Sequence, residues 1–350
     1  MQQVIEQFSE TIRKAAAERT HVRIRGSGAK DFYGLALIGD VLDTRPCTGI
    51  VEYEPTELVL TARAGTPLRD VETELAKNRQ MLSFEPPYFG AGATLGGSVA
   101  CGFSGPRRAS SGSARDFVLG VRMFNGLGED LRFGGKVMKN VAGYDLSRLM
   151  TGSFGTLGLI TEVSLKVLPL PEQERTLRLE VDETAALDSM SRWAGKPLPL
   201  SASCHVDGAL YLRLSGAGSA VEAAQKKIGG EPVADGATFW QSIREQTHPF
   251  FADAAALWRL SIKPTTAPLG LGPQMIEWNG GLRWIAANLS PSQAFEAAHR
   301  AGGHATLFRG GDKRLGIQRL SVNLLAIHRK LKRAFDPEGI LSPGRIHADF

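Results

Sequence analysis

The chain has 350 residues, 43% apolar and 22% charged, with a net charge of +5. That is ordinary globular composition with length enough for two domains, and no uncharged apolar run reaches the eighteen residues of a membrane-spanning helix. Cys47, Cys101 and Cys204 are far apart, which argues against a zinc or iron–sulfur site in this chain and against a disulfide framework. The positive charge is mild and dispersed, so it favours a solvated surface over nucleic-acid binding and stays compatible with an anionic small ligand.

The first twenty residues, "MQQVIEQFSETIRKAAAERT", lack the apolar block and small-residue cleavage site of a signal peptide, and a cytoplasmic location is expected. Val4, Ile5, Phe8, Ile12 and Ala15 recur at helical spacing and predict an amphipathic helix over 4–18. "HVRIRGSG" reads as a short strand running into a glycine turn. "ELVLTARAGTPLRDVETELAKN" reads as strand, turn and helix, with Thr66 as N-cap and Pro67 in the first helical position. Residues 90–115 read as a long loop-rich segment. "LGVRMFNGLGEDLRF" predicts a hairpin turning near Asn125–Gly128, and residues 157–171 a strand ended by two prolines.

Beyond Pro171 the pattern predicts helix 183–194, strand 209–215, helix 219–228, strand 282–287, helix 291–301 and strand 304–308. "ALYLRLSGAGSAVEAAQKKIGG" and "GLRWIAANLSPSQAFEAAHRAGG" share one plan of strand, loop, alanine-rich helix and glycine pair, a weak internal duplication. The last segment is a basic amphipathic helix followed by Pro- and Gly-rich extended chain. The expected division is 1–171, 172–315, and a C-terminal helix and return over 316–350.

Residues 90–158 hold 16 glycines in 69 positions, against 40 in the 350 of the whole chain. Glycine costs conformational entropy, so this density needs turns of positive φ or backbone approaching a ligand. "IRGSGAK" at 24–30 follows a strand, and its successive N–H groups suit an anion-binding nest. "GATLGG" at 92–97 offers further N–H donors. Taken together the two loops point to a dinucleotide diphosphate.

The nicotinamide fingerprint G-x-G-x-x-G is absent. Runs from Gly26, Gly90, Gly126, Gly216 and Gly270 carry Asp31, Leu95, Leu131, Val221 and Met275 where the third glycine belongs. The P-loop is absent too, since Gly135–Lys136 is followed by Val137.

"RGSGAK", "EPPYFGAGATLGGSVACGFSGPRRASSGSARDFVLGVRMF", "KNVAGYDLSRLMTGSFGTLGLITEVSLKVLP" and "FDPEGILSPGR" occur in order over nearly the whole chain. Together they resemble the vanillyl-alcohol-oxidase, or PCMH-type, family of flavoproteins. The resemblance implies an α+β protein: a PCMH-type FAD-binding domain of two α/β lobes plus a smaller α+β cap domain. It implies FAD contacts from Arg25, Gly26, Ser27, Gly28, Ala29 and Lys30, and from Pro87, Thr94, Gly96, Gly97 and Ala100. Gly105, Ser113, Asp116 and Val118 would continue toward adenine and ribose. Gly158, Leu159, Ile160 and Thr161 would lay strand backbone beside the cofactor, and Arg345 would close the C-terminal return.

Residues 24–34 hold no histidine for covalent attachment, so a dissociable FAD is expected. Ser342-Pro343-Gly344 stands where the family commonly has Asn-Pro-Gly.

"VMKNVAGYDLSRLM", "ACGFSGPRR" and "AGGHATLF" are similar to pieces found in bacterial 2-hydroxy-acid oxidase complexes. That likeness implies a subunit supporting oxidation of glycolate to glyoxylate. A second flavin-bearing subunit would work on the 2-hydroxy acid, and an iron–sulfur subunit would take the electrons. Contact with the inner membrane would come only through the complex. A stand-alone FAD oxidoreductase and a non-catalytic assembly subunit are the alternatives.

No catalytic base declares itself. Related dehydrogenases carry H-x-G-D-G-N-L-H; here "AGGHATLFRGGD" has only His304 and an isolated Asp312. His304 is the weak catalytic candidate, with a structural role as its competing reading, and no metal is expected. Lys139 and Tyr144 read as flavin or partner contacts or as a packed turn, and Asp145 as a helix cap. Arg107 and Arg108 read as steering an anion or as solvated charge. Trp240, Trp258, Trp278 and Trp284 read as core, or as an interface.

Overall fold

A computed structural model of the chain describes residues 1–35, 37–135, 144–252 and 254–348. The chain forms two compact units: Met1–Phe103 with Ser113–Pro169 and Arg319–Phe350, and Ser104–Gly112 with Leu170–Gln318. Among the described residues no helix is long and apolar enough to cross a membrane.

In the first unit the helix Gln2–Glu18 buries Ile5, Phe8, Ile12 and Ala15, the stripe its spacing dictates. They pack with Val22, Leu42, Ile340 and Leu341. Strands Val22–Arg25 and Asp40–Asp43 pair in parallel. Val22 also bridges Leu341 in parallel, so the C-terminal return becomes a neighbour of the first strand.

A five-stranded antiparallel sheet forms the other half of this unit. Its order is Ile50–Glu54, Val59–Arg63, Leu159–Lys166, Val118–Phe124, Asp130–Gly134. The hairpin turn falls where the sequence predicts it: Asn125 Oδ1 accepts from the amides of Leu127 and Glu129, and Gly128 takes φ +68°.

One expectation needs correction. Thr66 does not cap the helix Leu68–Lys77; Pro67 is its N-cap residue. The Thr66 hydroxyl instead bonds the backbone of Gly49 as donor and acceptor, a long-range partner that local sequence cannot reveal. The loop-rich segment 90–115 carries the short helices Leu95–Cys101 and Arg108–Ser111 and the start of Ala114–Phe117. Gly96 and Gly97 lower helix propensity, yet Thr94 caps their helix through its side chain.

The second unit is an eight-stranded antiparallel sheet carrying helices. Leu210, Leu212 and Leu214 alternate along the strand Ala209–Gly216. They pack against the helices Glu183–Ala194 and Gly218–Ile228. Ala256, Trp258 and Leu260 do the same for the helix Pro291–Arg300. The duplicated plan is present, with each alanine-rich helix followed by a left-handed glycine, Gly229 or Gly302. Among the described residues five strands of this sheet escaped the periodicity: Gln173–Glu180, Leu200–Val206, the two-residue Glu231–Pro232, Ala256–Ser261 and Gln274–Glu277.

Candidate functional site: a cleft in the first unit

The strand Val22–Arg25 ends where the chain turns through residues 26–31 along one wall of an open cleft. The lining gathers every residue of 23–31, Thr94, Gly96, Gly97 and Ala100, then Phe154, Gly155, Gly158 and Ile160, and finally Ser342 and Arg345. Four distant stretches thus meet at one surface.

The first loop has the properties of an anion cradle. Gly28 sits at φ +81°, and a Cβ there would overlap the Arg25 guanidinium. A Cβ on Gly26 would lie 2.5 Å from Thr94 Oγ1. Among the described residues the amides of Gly26, Ser27 and Gly28 have no protein acceptor, whereas Ala29 N donates to Ser27 Oγ at 3.3 Å. Three such neighbouring amides in a half-buried loop are what a diphosphate requires.

The second loop contributes differently from expectation. Leu95 N donates to Thr66 O and Gly96 N to Ala64 O, at 2.9 and 2.8 Å. Gly97 N donates to Thr94 Oγ1 at 3.2 Å. The role of this loop is therefore close approach rather than spare donors: a Cβ on Gly96 would stand 2.5 Å from that of Ala64.

Charge in the cleft is predominantly positive. Arg23, Arg25, Lys30 and Arg345 face one acid, Asp31, which accepts from Arg25 Nε at 2.8 Å. Arg23 Nε is buried with no hydrogen-bond partner among the described residues. Arg345 donates to the carbonyls of Leu35, Lys30 and Asp31 and lies over the Phe154 ring. Burial holds it below the usual arginine range. Lys30 Nζ donates to Tyr88 O at 3.3 Å. Cys101 also lines the cleft, and desolvation pushes its thiol up to about 11.

The other candidates lie elsewhere. Pro87, Leu159 and Thr161 are not among the lining residues; Leu159 is in the core, and Thr161 Oγ1 donates to Arg122 O. Ser113 and Asp116 form the capping box of Ala114–Phe117, and Val118 starts the next strand in the core. Gly105 belongs to the second unit, where its carbonyl accepts from Trp278 Nε1 at 3.1 Å.

Arg107 is buried against Glu174, and Arg108 stacks over Trp278 at 4.4 Å, so both serve the second unit's own packing. The four tryptophans are buried, as core reading expects. Asp145 caps Leu146–Leu149 and Tyr144 is 92% exposed; Lys139 lies outside the described residues. His304 opens the strand His304–Gly310, opposite Ser261, and desolvation with the nearby Arg259 holds it below the usual histidine value. Among the described residues no group of three or more His, Cys, Asp or Glu side chains is placed to hold a metal.

Arg23, Asp31, Thr44, Ala64, Phe154 and Gly155 line the cleft without having been singled out. Phe154 carries a visible signal only in three dimensions, a φ of +53° on a non-glycine residue.

Residues 3–134 match the family described as "FAD binding domain". A solved structure of p-cresol methylhydroxylase with substrate bound superposes with a TM-score of 0.71 at 15% identity. It covers 99% of this chain and 88% of that one. An alkyldihydroxyacetonephosphate synthase covers 97% and 74% at a TM-score of 0.66 and 16% identity. Cleft, fold and family match together define the class: an FAD-dependent oxidoreductase with the PCMH-type fold.

The glycolate oxidase subunit GlcE of Escherichia coli (strain K12) is 49% identical over 342 residues, 97% of this chain and 96% of that protein. The chain belongs to the GlcE family of glycolate oxidase subunits. Glycolate oxidase subunit GlcD of Bacillus subtilis (strain 168) is 32% identical over 174 residues, 49% of this chain and 37% of that protein.

Proposed function

We propose that the chain is the FAD-binding subunit of a glycolate oxidase complex. Its first unit carries the flavin, and residues 172–315 act as the cap. The observation that carries this reading is the loop 26–28, with three amides that have no acceptor among the described residues, beside four cationic side chains. In this reading those amides hold the diphosphate, Arg25 and Arg345 brace the loop, and Gly96 and Gly97 leave room for the dinucleotide. When bound, the flavin supplies the two-electron acceptor chemistry that turns a 2-hydroxy acid into a 2-oxo acid.

The flavin is held non-covalently. Residues 24–34 contain no histidine, and the Cys101 thiol stays protonated at neutral pH, which removes its nucleophilic form. A second flavin-bearing subunit of GlcD type oxidises glycolate to glyoxylate, and an iron–sulfur subunit receives the electrons. The complex works in the cytoplasm and meets the inner membrane only through its partners. His304 in this reading is structural: it stands on a paired strand, and among the described residues it belongs to no group of three or more His, Cys, Asp or Glu placed to hold a metal.

The test is FAD titration of the purified chain beside Gly97→Trp. A Cβ at Gly97 meets only Thr94 Oγ1, at 3.0 Å, so the indole projects into the cleft with little backbone conflict. We expect near-stoichiometric FAD in the parent chain, released on denaturation without proteolysis, and at least ~10-fold weaker binding in the variant. Equal FAD content in the two proteins would remove this cleft as the flavin site.

A further inference from the structure

The C-terminal helix Val322–Phe335 ends in a buried ion pair that does not line the cleft. Lys332 and Asp336 have side chains 7% and 0% exposed and meet at 2.6 Å. Lys332 Nζ also donates to the carbonyls of Thr156 and Leu341, each at 2.8 Å, which uses all three of its protons. Asp336 in turn accepts from the amides of Ile340 and Leu341, at 3.1 and 2.8 Å.

The segments gripped in this way reach the cleft within two residues. Thr156 follows Phe154 and Gly155, and Leu341 precedes Ser342; Phe154, Gly155 and Ser342 are lining residues. The same return is stitched to the first strand. Val22 N donates to Ile340 O and Ser342 N to Val22 O, both at 2.8 Å. Gly155 approaches so closely that a Cβ would lie 3.2 Å from that of Ile24. That strand opens directly into the cradle loop.

A buried ion pair is weak evidence for stability, because an apolar pair of similar volume often serves as well. An apolar pair cannot donate to two carbonyls and accept from two amides on separate segments. What this pair supplies that leucine and methionine cannot is register.

We propose that Lys332 and Asp336 are positioning residues for cofactor binding. They lock residues 154–156 and 340–342 against the strand Val22–Arg25, shape the cleft wall, and aim Arg345 at the carbonyls of Lys30 and Asp31. The proposal rests on the flavin reading of the cleft.

The experiment uses the full chain and FAD. Asp336→Asn and the double variant Lys332→Met/Asp336→Leu are compared with Leu75→Ala, a core truncation on a helix that contributes no lining residue. Apo melting temperature, FAD affinity in the cold, and amide exchange of the apo chain are measured. Asp336→Asn should bind FAD about tenfold or more weakly, beyond any loss in Leu75→Ala. It should also exchange faster at residues 154–156 and 340–342. The double variant should regain melting temperature without regaining affinity.

The proposal is overturned if Asp336→Asn and Leu75→Ala lose affinity alike, or if the double variant binds FAD like the parent. Should Asp336→Asn or the double variant fail to fold, Asp336→Glu decides. It keeps the charge while displacing the return by one methylene, and the same loss of affinity is expected of it; parent-like affinity there overturns the proposal. A parent chain that takes up no FAD sinks the flavin reading and this proposal with it. Parent binding with indifferent variants sinks this proposal alone.

Discussion

Gly28 and Cys101 line one cleft for different physical reasons. At Gly28 the backbone itself is the functional group: a left-handed residue lets successive amides turn toward one point. The same feature was readable as G-S-G after a strand, but the Arg25 guanidinium lying across it was not. Cys101 is governed by its surroundings. With its thiol at about 11, roughly one molecule in a thousand carries the thiolate at pH 8. Iodoacetamide labelling of Cys101 should therefore be slow at pH 8 and quicken about tenfold per pH unit up to pH 10. Fast labelling at pH 7, followed by mass spectrometry, would contradict a desolvated thiol.

Elements reveal where local rules were overruled. Thr66 has the chemistry of an N-cap, yet Gly49, seventeen residues away, takes its hydroxyl. The double glycine at 96–97 predicts a loop, yet the approach of Ala64 demands glycine inside a helix. The segment Ser104–Gly112 belongs with the second unit. Arg107 there meets Glu174, and Arg213 stands 4.0 Å from the same carboxylate.

Burial opposes ionisation of Glu174, but Arg213 and Arg107, with the Ser215 hydroxyl, hold its carboxyl below the ordinary value of 4.5. A depressed carboxyl stabilises the folded form above its unfolded pKa, and that contribution is lost as pH falls through the lowered value. Urea midpoints of the parent chain should therefore drop more steeply than those of Glu174→Gln as pH falls below about 4.5. Parallel pH profiles would show that the arginines do not depend on this acid.

At the scale of the whole molecule, the chain aligns along 97% of its length with one glycolate oxidase subunit and along 49% with another. The function proposed above divides the labour between this chain and a GlcD-type subunit. The chain alone should bind FAD while glycolate bleaches that flavin at least ~100-fold more slowly than in the mixture with its partner subunits. Anaerobic absorbance near 450 nm would follow it. Bleaching of the isolated chain at the rate of the mixture would make it a self-sufficient enzyme.

Local periodicity and motif order determined much by themselves. The first helix, the 125–128 turn, the helix 183–194 and the flavoprotein family were all legible, because each rests on residue patterns that run along the chain. Leu200–Val206 does alternate, but with small residues such as Ala202 and Ser203 that give a weak strand signal, and Gln274–Glu277 is only four residues long. Only the tertiary structure decided that Thr156, Leu341 and Val22 share one clasp, that Gly96 N is already spent on Ala64 O, and that Arg107 serves the second unit. Those facts depend on which distant atoms compete for the same hydrogen bond or the same few ångströms of space, and chain order does not encode that competition one residue at a time.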